Sequence, residues 1–249
     1  MKRLVAAVAL LATLAIAAAA TRPFWVAPDA AQAQAWLHAA ADRHDAQAEA
    51  ALARWSDRGD AQARQAYSAL LAHRSDAASR ERLAKVLGDG AEAGDALAAT
   101  QLAQLLAGAG EGAAASAKPD DARIVRLLAQ GSAGHVPAAS RLLALRALDV
   151  KGGTPDLVRA ATLMGQAAEG GDAPAMFLYA NMLRAGQGVK QDEARALALY
   201  QAAGDADYAP AIQALAIAYR QGELGLPADA SQSRLMDHEA AEALAHAAH

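Results

Sequence analysis

Polar residues interrupt the apolar stretches of this chain at a regular spacing. The pattern Gly-[Asp/His]-x-x-Ala occupies residues 59–63, 94–98, 134–138 and 171–175, and a degenerate copy occupies 207–211. Successive copies begin 35, 40, 37 and 36 residues apart, as the differences between these start positions show. A constant period of this length is typical of repeat proteins, so the pattern predicts a stack of similar units.

Each copy of the pattern predicts a turn between two helices. Glycine ends the first helix, because a left-handed backbone costs it little, and proline fits the first turn of the second helix. Pro137, Pro174 and Pro210 occupy the same place in three successive copies. The pattern therefore indicates a helix, a tight turn and a second helix in every repeat.

Four aspartates mark the other turn of the repeat, the one that leads into the next pair. They are spaced 36, 36 and 37 residues apart, at Asp120, Asp156, Asp192 and Asp229. Each precedes a helical stretch, where its side chain can accept hydrogen bonds from free backbone N–H groups. Two markers with one period predict an all-α fold, a right-handed α/α solenoid of about five helix pairs with a C-terminal capping helix.

The two markers give approximate bounds for every helix. The predicted pairs are 45–57 with 61–73, 77–92 with 96–107, 121–131 with 137–148, 156–169 with 173–185, and 192–203 with 208–221. An opening helix at 29–42 lies in an N-terminal segment, 21–44, and the repeats fill 45–228. Residues 229–249 form the capping segment, and the Gly-, Ala- and Ser-rich stretch 108–119 is predicted to be an insertion.

Composition supports helices and says how they are stabilised. Apolar residues make up 54% of the chain but aromatic residues only 4%, and alanine supplies most of the remainder. Alanine is the best helix former, whereas the residues that favour strands are scarce. Small side chains each bury little apolar area, so stability must come from many repeated contacts.

The fourth predicted pair carries two turn motifs of a known repeat family. Residues 167–173 read Ala-Ala-Glu-Gly-Gly-Asp-Ala, and residues 186–192 read Gly-Gln-Gly-Val-Lys-Gln-Asp. They resemble the two turns of the Sel-one-like repeat, a relative of the tetratricopeptide repeat. The resemblance is clearest over 156–235, where the fifth pair repeats it with one extra residue in 222–229. The resemblance implies a solenoid fold, and it implies that the protein acts as an adaptor, an assembly factor or a regulator in envelope or secretion machinery.

The N-terminus is predicted to direct export. Lys2 and Arg3 precede an apolar run, 4–20, that ends in three alanines, as in a cleaved signal peptide spanning residues 1–20. An uncleaved inner-membrane anchor is the alternative, although the run is short for a bilayer. The leader looks bacterial, so we expect a periplasmic protein with no other membrane contact. Loss of the two cations changes the net charge from −4 to −6, which argues against nucleic acid as a partner.

The candidate chemistry is sparse. The chain has no cysteine, which excludes disulfides, thiolate chemistry and lipidation of a cysteine after the leader. His238, Glu242, His246 and His249 fall on one face of the last predicted helix, where they could bind a metal or could simply be its solvent-exposed side. No phosphate loop, dinucleotide fingerprint or nucleophile motif is present. We therefore expect a protein that is not an enzyme and needs no cofactor.

A further periodicity indicates where a partner binds. Arg123, Arg159 and Arg195 each follow a capping aspartate by three residues, so in stacked repeats they would form a ladder along the first helices. The resemblance places first helices on the concave face, and arginine suits a partner with an acidic segment. Alternatively, each arginine pairs with its own capping aspartate. Most tyrosines are predicted to pack between helices, and Tyr200 is predicted to contribute to the partner-binding face.

These expectations favour a non-catalytic scaffold or adaptor in the bacterial cell envelope, which binds a protein on the concave face. An immunity or inhibitor protein that neutralises a secreted effector or hydrolase is the alternative. A metal-dependent enzyme that uses the histidine face of the last helix is a remote third.

Overall fold

The computed structural model describes residues 26–112, 121–149 and 154–247, so the predicted signal peptide, Asp120 and His249 lie outside it. Within these ranges all regular structure is helical, and no strand is found. The helices are α1 Ala30–Asp42, α2 Ala46–Asp57, α3 Ala61–Ala72, α4 Ala77–Glu92, α5 Ala96–Gly112, α6 Asp121–Ala133, α7 Pro137–Leu148, α8 Leu157–Glu169, α9 Ala173–Ala185, α10 Glu193–Asp205, α11 Ala209–Gln221 and α12 Ala230–Ala247.

The chain divides into two units, Met1–Leu127 and Leu128–His249. In the N-terminal unit, α1 packs against α2 and α3, and the helices from α2 to α5 then pack in chain order. Trp36 of α1 is 2% exposed and joins Leu52 and Tyr67 in one apolar cluster. The rest of this cluster combines alanines with further leucines and a valine, so large and small side chains alternate in the core of this unit.

The C-terminal unit continues the same pairing from α7 to α12. Met164, Leu183 and Tyr200 are buried in its main cluster among many alanines. The last helix, α12, packs its buried Ala240 and Ala243 against α11. That position at the end of the described chain is the one predicted for a capping helix.

The turn inside each pair has one hydrogen-bonding pattern throughout. A residue with positive φ follows the first helix, and the next residue both precedes the second helix and donates its N–H to a carbonyl five residues earlier. This is the arrangement of a Schellman motif, which satisfies carbonyls left free at a helix end. The bonds are 2.9–3.1 Å long and join Asp60 to Trp55, Asp95 to Gly90, Val136 to Gly131, Asp172 to Ala167 and Tyr208 to Ala203.

This pattern shifts the sequence alignment of the third pair by one residue. The left-handed position is Gly171 in the fourth pair, but it is His135 in the third pair and Asp207 in the fifth. Histidine and aspartate tolerate this backbone better than most side chains do. Pro137 is consequently the first residue of α7, whereas Pro174 and Pro210 are the second residues of α9 and α11. The predicted equivalence therefore holds for Pro174 and Pro210 and is off by one for Pro137.

The turn between pairs is equally regular, and it confirms the predicted aspartate caps that the structure describes. Asp156 accepts a hydrogen bond from the backbone N–H of Arg159 at 3.0 Å, and Asp192 accepts one from Arg195 at 2.9 Å. Asp229 caps α12 in the same way through Ser231 and Gln232. The N–H groups of these aspartates donate to carbonyls nine, nine and ten residues earlier, at Ala147, Leu183 and Tyr219. The extra residue in the last turn accounts for the longer step.

Consecutive second helices are joined by side-chain pairs 31 residues apart. Arg64 of α3 donates to Asp95 at 3.0 and 3.2 Å, and Arg141 of α7 donates to Asp172 at 2.8 Å. In the next repeat the ring of Phe177 packs on that of Tyr208, with 5.7 Å between centroids. In each case the partner later in the chain is the residue just before a second helix: Asp95, Asp172 or Tyr208. We call the Arg64–Asp95 and Arg141–Asp172 contacts the ionic clasps and the Phe177–Tyr208 contact the aromatic clasp.

One predicted boundary is wrong. The insertion was expected to begin at residue 108, but α5 continues to Gly112. Nothing in residues 108–112 forces a helix to end, since the next proline along the chain is Pro119 and a side chain at Gly108 would meet no atom within 4 Å. The other described helices agree with the predicted bounds to within a few residues. Among the described helices, none has the length and hydropathy needed to cross a membrane.

Candidate protein-interaction face

The C-terminal unit has two pockets, each lined by two successive first helices and by the second helix that lies between them in the chain. The larger, pocket A, has a volume of about 750 Å³ and is lined by the end of α6, by α7 and by the end of α8. The smaller, pocket B, has a volume of about 210 Å³ and is lined by α10, α11 and α12. We refer to this side of the C-terminal unit, formed by α6 from residue 128 onwards and by α8, α10 and α12, as the first-helix face.

Pockets A and B are the same site in two different repeats. Five lining residues of one lie 72 positions from lining residues of the other, which is twice the 36-residue period. The equivalent residues are Ala129 and Gln201, Ser132 and Gly204, Ala133 and Asp205, Ser140 and Ile212, and Leu143 and Leu215. The same position of the repeat therefore forms a cavity in the third and in the fifth helix pair.

The intermediate repeat fills this position with an aromatic ring. Tyr179, which lies 36 residues after Leu143 and 36 before Leu215, is 7% exposed and belongs to the main core cluster. Opposite its ring stands Gly165, where an added Cβ would lie 3.2 Å from the Tyr179 Cζ. Glycine at 165 thus makes room for the ring that closes the middle position.

Arg195 covers this ring. Its guanidinium carbon lies 5.3 Å from the centroid of the Tyr179 ring, a cation–π distance. The same guanidinium lies 3.6 Å from Glu169 Oε1, with the two side chains 49% and 73% exposed. Its own capping aspartate is contacted by the backbone N–H of Arg195 instead. Arg195 therefore holds the closed middle position and is only partly available to a partner.

The other two arginines of the predicted ladder are also exposed on their helices. Arg159 lies in the first turn of α8, and no described acidic side chain pairs with its guanidinium. Arg123 lies on the part of α6 that belongs to the N-terminal unit. Arg159 is thus the member best placed to receive a carboxylate from a partner, and partner binding by all three remains a prediction.

Both pockets have carboxylates among their lining residues. Glu169 lines pocket A, and Asp205 and Glu239 line pocket B. Asp205 and Glu239 are exposed and form no ion pair with a described cation, whereas Glu169 is near Arg195. The apolar lining residues Leu143 and Leu215 are each 6% exposed, whereas the three carboxylates are exposed. Each pocket therefore offers an apolar floor and an acidic edge.

Tyr200 belongs to the other side of the C-terminal unit. It is 1% exposed, and its hydroxyl donates to the Asn181 Oδ1 at 2.7 Å. Burial raises the pKa of Tyr200, because it disfavours the phenolate, and the positive charge of Arg184 opposes this in part. The residue lies at a groove of about 430 Å³ lined mainly by α9 and α11. The prediction that most tyrosines pack between helices is confirmed for Tyr67, Tyr179 and Tyr200.

The polar residues of α12 do not assemble a metal site within the described chain. The Nε2 of His238 and the Oε1 of Glu242 are 3.9 Å apart, on side chains 72% and 63% exposed. No group of three or more histidine, aspartate or glutamate side chains, with or without His246, is arranged to hold a metal in the described residues. What remains is an exposed pair on a helix surface.

Sequence reasoning missed the residues that open and close the pockets. Their signal was present, because aligned positions 143, 179 and 215 read Leu, Tyr and Leu, and position 165 opposite the tyrosine reads Gly. Recognising it requires knowing which helix faces meet across repeats, which the turn motifs do not specify.

Comparison with solved structures agrees with this architecture. A Sel1 repeat protein from Oxalobacter formigenes superposes with a TM-score of 0.74 at 20% identity, covering 90% of this chain and 91% of that one. A protective antigen from uropathogenic Escherichia coli strains, described as displaying an SLR fold, superposes with a TM-score of 0.66 at 21% identity. That match covers 84% of this chain, which spans only 46% of the antigen.

No family model matches the sequence, and no curated protein matches it significantly. The structural matches, the repeat period of about 36 residues and the two motifs of the fourth pair nevertheless agree with one another. The chain has the all-α Sel-one-like repeat fold that its sequence motifs predicted.

Proposed function

We propose that this protein is a non-catalytic scaffold or adaptor that binds a protein partner on its first-helix face. The observation that carries the proposal is the repeated pair of open pockets, A and B, on a surface built from equivalent helices. A stack of repeats offers a long surface of this kind, and such surfaces are what repeat proteins use for binding. The Sel-one-like fold of the two structural neighbours supports the same class of function.

The proposal includes an acidic group of the partner at the Arg159 end of the face. Arg159 is exposed and has no described carboxylate partner, so its planar guanidinium can form paired hydrogen bonds to a carboxylate. Arg195 would contribute less, because Glu169 and the Tyr179 ring already engage it. We place this interaction in the periplasm, on the evidence of the leader-like residues 1–20 alone.

The test is crosslinking in cells followed by purification of the full-length protein from the envelope fraction. The wild type should retain protein partners that a variant with Arg159→Glu loses. Arg80→Glu makes the same charge change on an exposed residue of α4 in the N-terminal unit, and it should retain them. Circular dichroism and a melting curve show whether each variant is folded.

The outcomes separate the alternatives. Several envelope components retained together would indicate a scaffold, whereas a single tightly bound effector or hydrolase would indicate an immunity protein. If the wild type retains no protein, the proposed function is wrong. If Arg159→Glu and Arg80→Glu behave alike, only the acidic-segment part of the proposal is wrong.

A further inference from the structure

We propose that the first-helix face binds an extended peptide at two points, with one apolar side chain of the peptide in pocket A and a second in pocket B. The inference rests on the proposed function and specifies the partner segment. Tyr179 closes the site between the two pockets, so the ligand must bridge one repeat without inserting a side chain there. The peptide specificity is then set by spacing.

The spacing follows from the repeat geometry. Equivalent helices of neighbouring repeats are separated by roughly 10 Å, the packed diameter of a helix. Pockets A and B lie two repeats apart, which is about 20 Å. An extended chain advances about 3.3 Å per residue, so this distance corresponds to about six residues. Side chains at positions i and i+6 also point to the same side of an extended chain, because the side-chain period is two.

The charges at the pocket edges specify the neighbours of these anchors. Asp205 and Glu239 flank pocket B without a described cation, which favours a lysine or arginine next to the second anchor. Glu169 at pocket A is already near Arg195, so the first anchor has a weaker requirement for a basic neighbour. The ligand is therefore an extended segment of the pattern apolar, five residues, apolar, with a basic residue beside the second apolar position.

The repeat itself supplies the variants that test this inference. Tyr179→Leu places at the middle position the residue found at 143 and 215, and it should open a third pocket. Leu143→Tyr with Ala129→Gly copies the tyrosine and glycine of the closed repeat into pocket A. Leu215→Tyr with Gln201→Gly does the same in pocket B. Because each change copies a side chain that the fold already accepts at the equivalent position, we expect all three variants to fold.

The probe is a random dodecapeptide library, selected on the full-length wild type and on each variant. The wild type should enrich pairs of apolar residues six positions apart with a basic residue near the second. Tyr179→Leu should add pairs about two or four positions apart, because its pocket lies one repeat, roughly 10 Å, from the other two and both anchors must point to the same side of the chain. Closing either pocket A or pocket B should abolish the six-residue enrichment. For the best wild-type peptide, fluorescence anisotropy should show at least about tenfold weaker binding when one pocket is closed, the effect of losing one buried apolar side chain.

Three results would overturn the inference. The wild type could enrich no spacing, Tyr179→Leu could enrich the same spacing as the wild type, or the closed variants could bind the selected peptide as tightly as the wild type. Sedimentation of each protein tests whether a second copy of the chain, rather than a peptide, occupies a pocket. In that case closing the pocket would lower the measured mass, and the peptide inference would be wrong. If native partners are retained in cells while the library shows no spacing preference, the inference is wrong and the proposed function stands.

Discussion

The clasp between second helices in the N-terminal unit differs in chemistry from the last clasp of the C-terminal unit. In the N-terminal unit the clasp is ionic, because Arg64, whose side chain is 8% exposed, forms two hydrogen bonds to Asp95. In the C-terminal unit the last clasp is aromatic, because the Phe177 ring packs between those of Tyr208 and Tyr200. The Arg141–Asp172 clasp in that unit is ionic again. The repeat thus conserves a position and a separation of 31 residues, not a chemical type.

The ionic clasps make a helix-capping hydrogen bond that the aromatic clasp lacks. In the ionic clasps the aspartate also accepts a hydrogen bond from the helix that it precedes, at Ala98 for Asp95 and at Ala175 for Asp172. Tyr208 makes no such side-chain cap. The aromatic clasp therefore gives up a helix cap, typically worth about 1 kcal/mol, and replaces it with buried ring area. The two solutions should respond differently to mutation.

The largest effect is expected for Arg64→Ala in the N-terminal unit. In the wild type the Arg64 side chain packs so closely on Gly90 that a Cβ added there would lie 2.8 Å from the arginine Cδ. Arg64→Ala therefore removes a buried guanidinium and leaves a cavity beside Gly90. Breaking a buried ion pair typically costs about 3 kcal/mol. Arg74→Ala, which breaks the exposed pair with Glu49, should cost less than about 1 kcal/mol. Chemical denaturation of the full chain measures both, and equal losses would show that the ionic clasp contributes no more than an exposed ion pair.

Phe177→Ala tests the aromatic clasp. The ring is half-buried and touches two others, so its loss should destabilise the C-terminal unit by about 2 kcal/mol. Phe177→Leu retains much of the apolar volume and should lose less than half of that amount. Urea denaturation followed by tyrosine fluorescence reports the change. A leucine variant as unstable as the alanine variant would mean that ring geometry, rather than buried area, dominates the clasp.

Asp172 separates the two roles of an ionic clasp. Asp172→Asn retains an oxygen that can cap α9 and removes the charge that faces Arg141, so we expect a loss of about 1 kcal/mol. Asp172→Ala removes both contacts and should cost about 1 kcal/mol more. A double-mutant cycle with Arg141→Ala isolates the pair itself, and a coupling energy near zero would leave the cap as the only contribution.

The smallest effect is a pH dependence outside the clasps. Hydrogen bonds from Arg74 lower the pKa of Glu49 below its ordinary value of 4.5, against the opposing effect of partial burial. A lowered carboxylate pKa stabilises the folded state above the unfolded value and loses that contribution as the pH falls through the folded value. Glu49→Gln should therefore cost less than about 1 kcal/mol at pH 7, and the cost should shrink as the pH falls below the ordinary value of 4.5. Denaturation midpoints measured from pH 7 to pH 3 test this, and a difference that grows toward acid would contradict it.

Much of the fold could be predicted because its signals are local. A glycine or aspartate at a helix end acts on backbone groups a few residues away, so Gly171 and Asp192 can be interpreted directly from the sequence. The error at Gly134 and His135 arose where two residues could both occupy the left-handed position. The overlong helix α5 arose where no residue carries a stop signal.

The candidate site was harder to predict, because it depends on residues in different repeats. The arginine ladder was recognised from its period, yet Arg195 proved to be held by Glu169 and by the ring of Tyr179. Tyr200, predicted for the partner-binding face, is buried beside the groove of the second helices. Periodicity places residues in equivalent positions, but the neighbouring side chains decide whether those positions are open.

The sequence by itself determined the period, the two turns, the aspartate caps and the fold that they build, since each depends on backbone hydrogen bonds closed within about ten residues. Only the tertiary structure decided that pockets A and B are open while the site between them is closed. That outcome depends on whether Leu143, Tyr179 or Leu215 fills a space bounded by helices of two repeats, and on the glycine at 165 that admits the ring. Whether a side chain fills such a space depends on how it packs against residues that are distant in the chain, so the turn motifs alone cannot predict it.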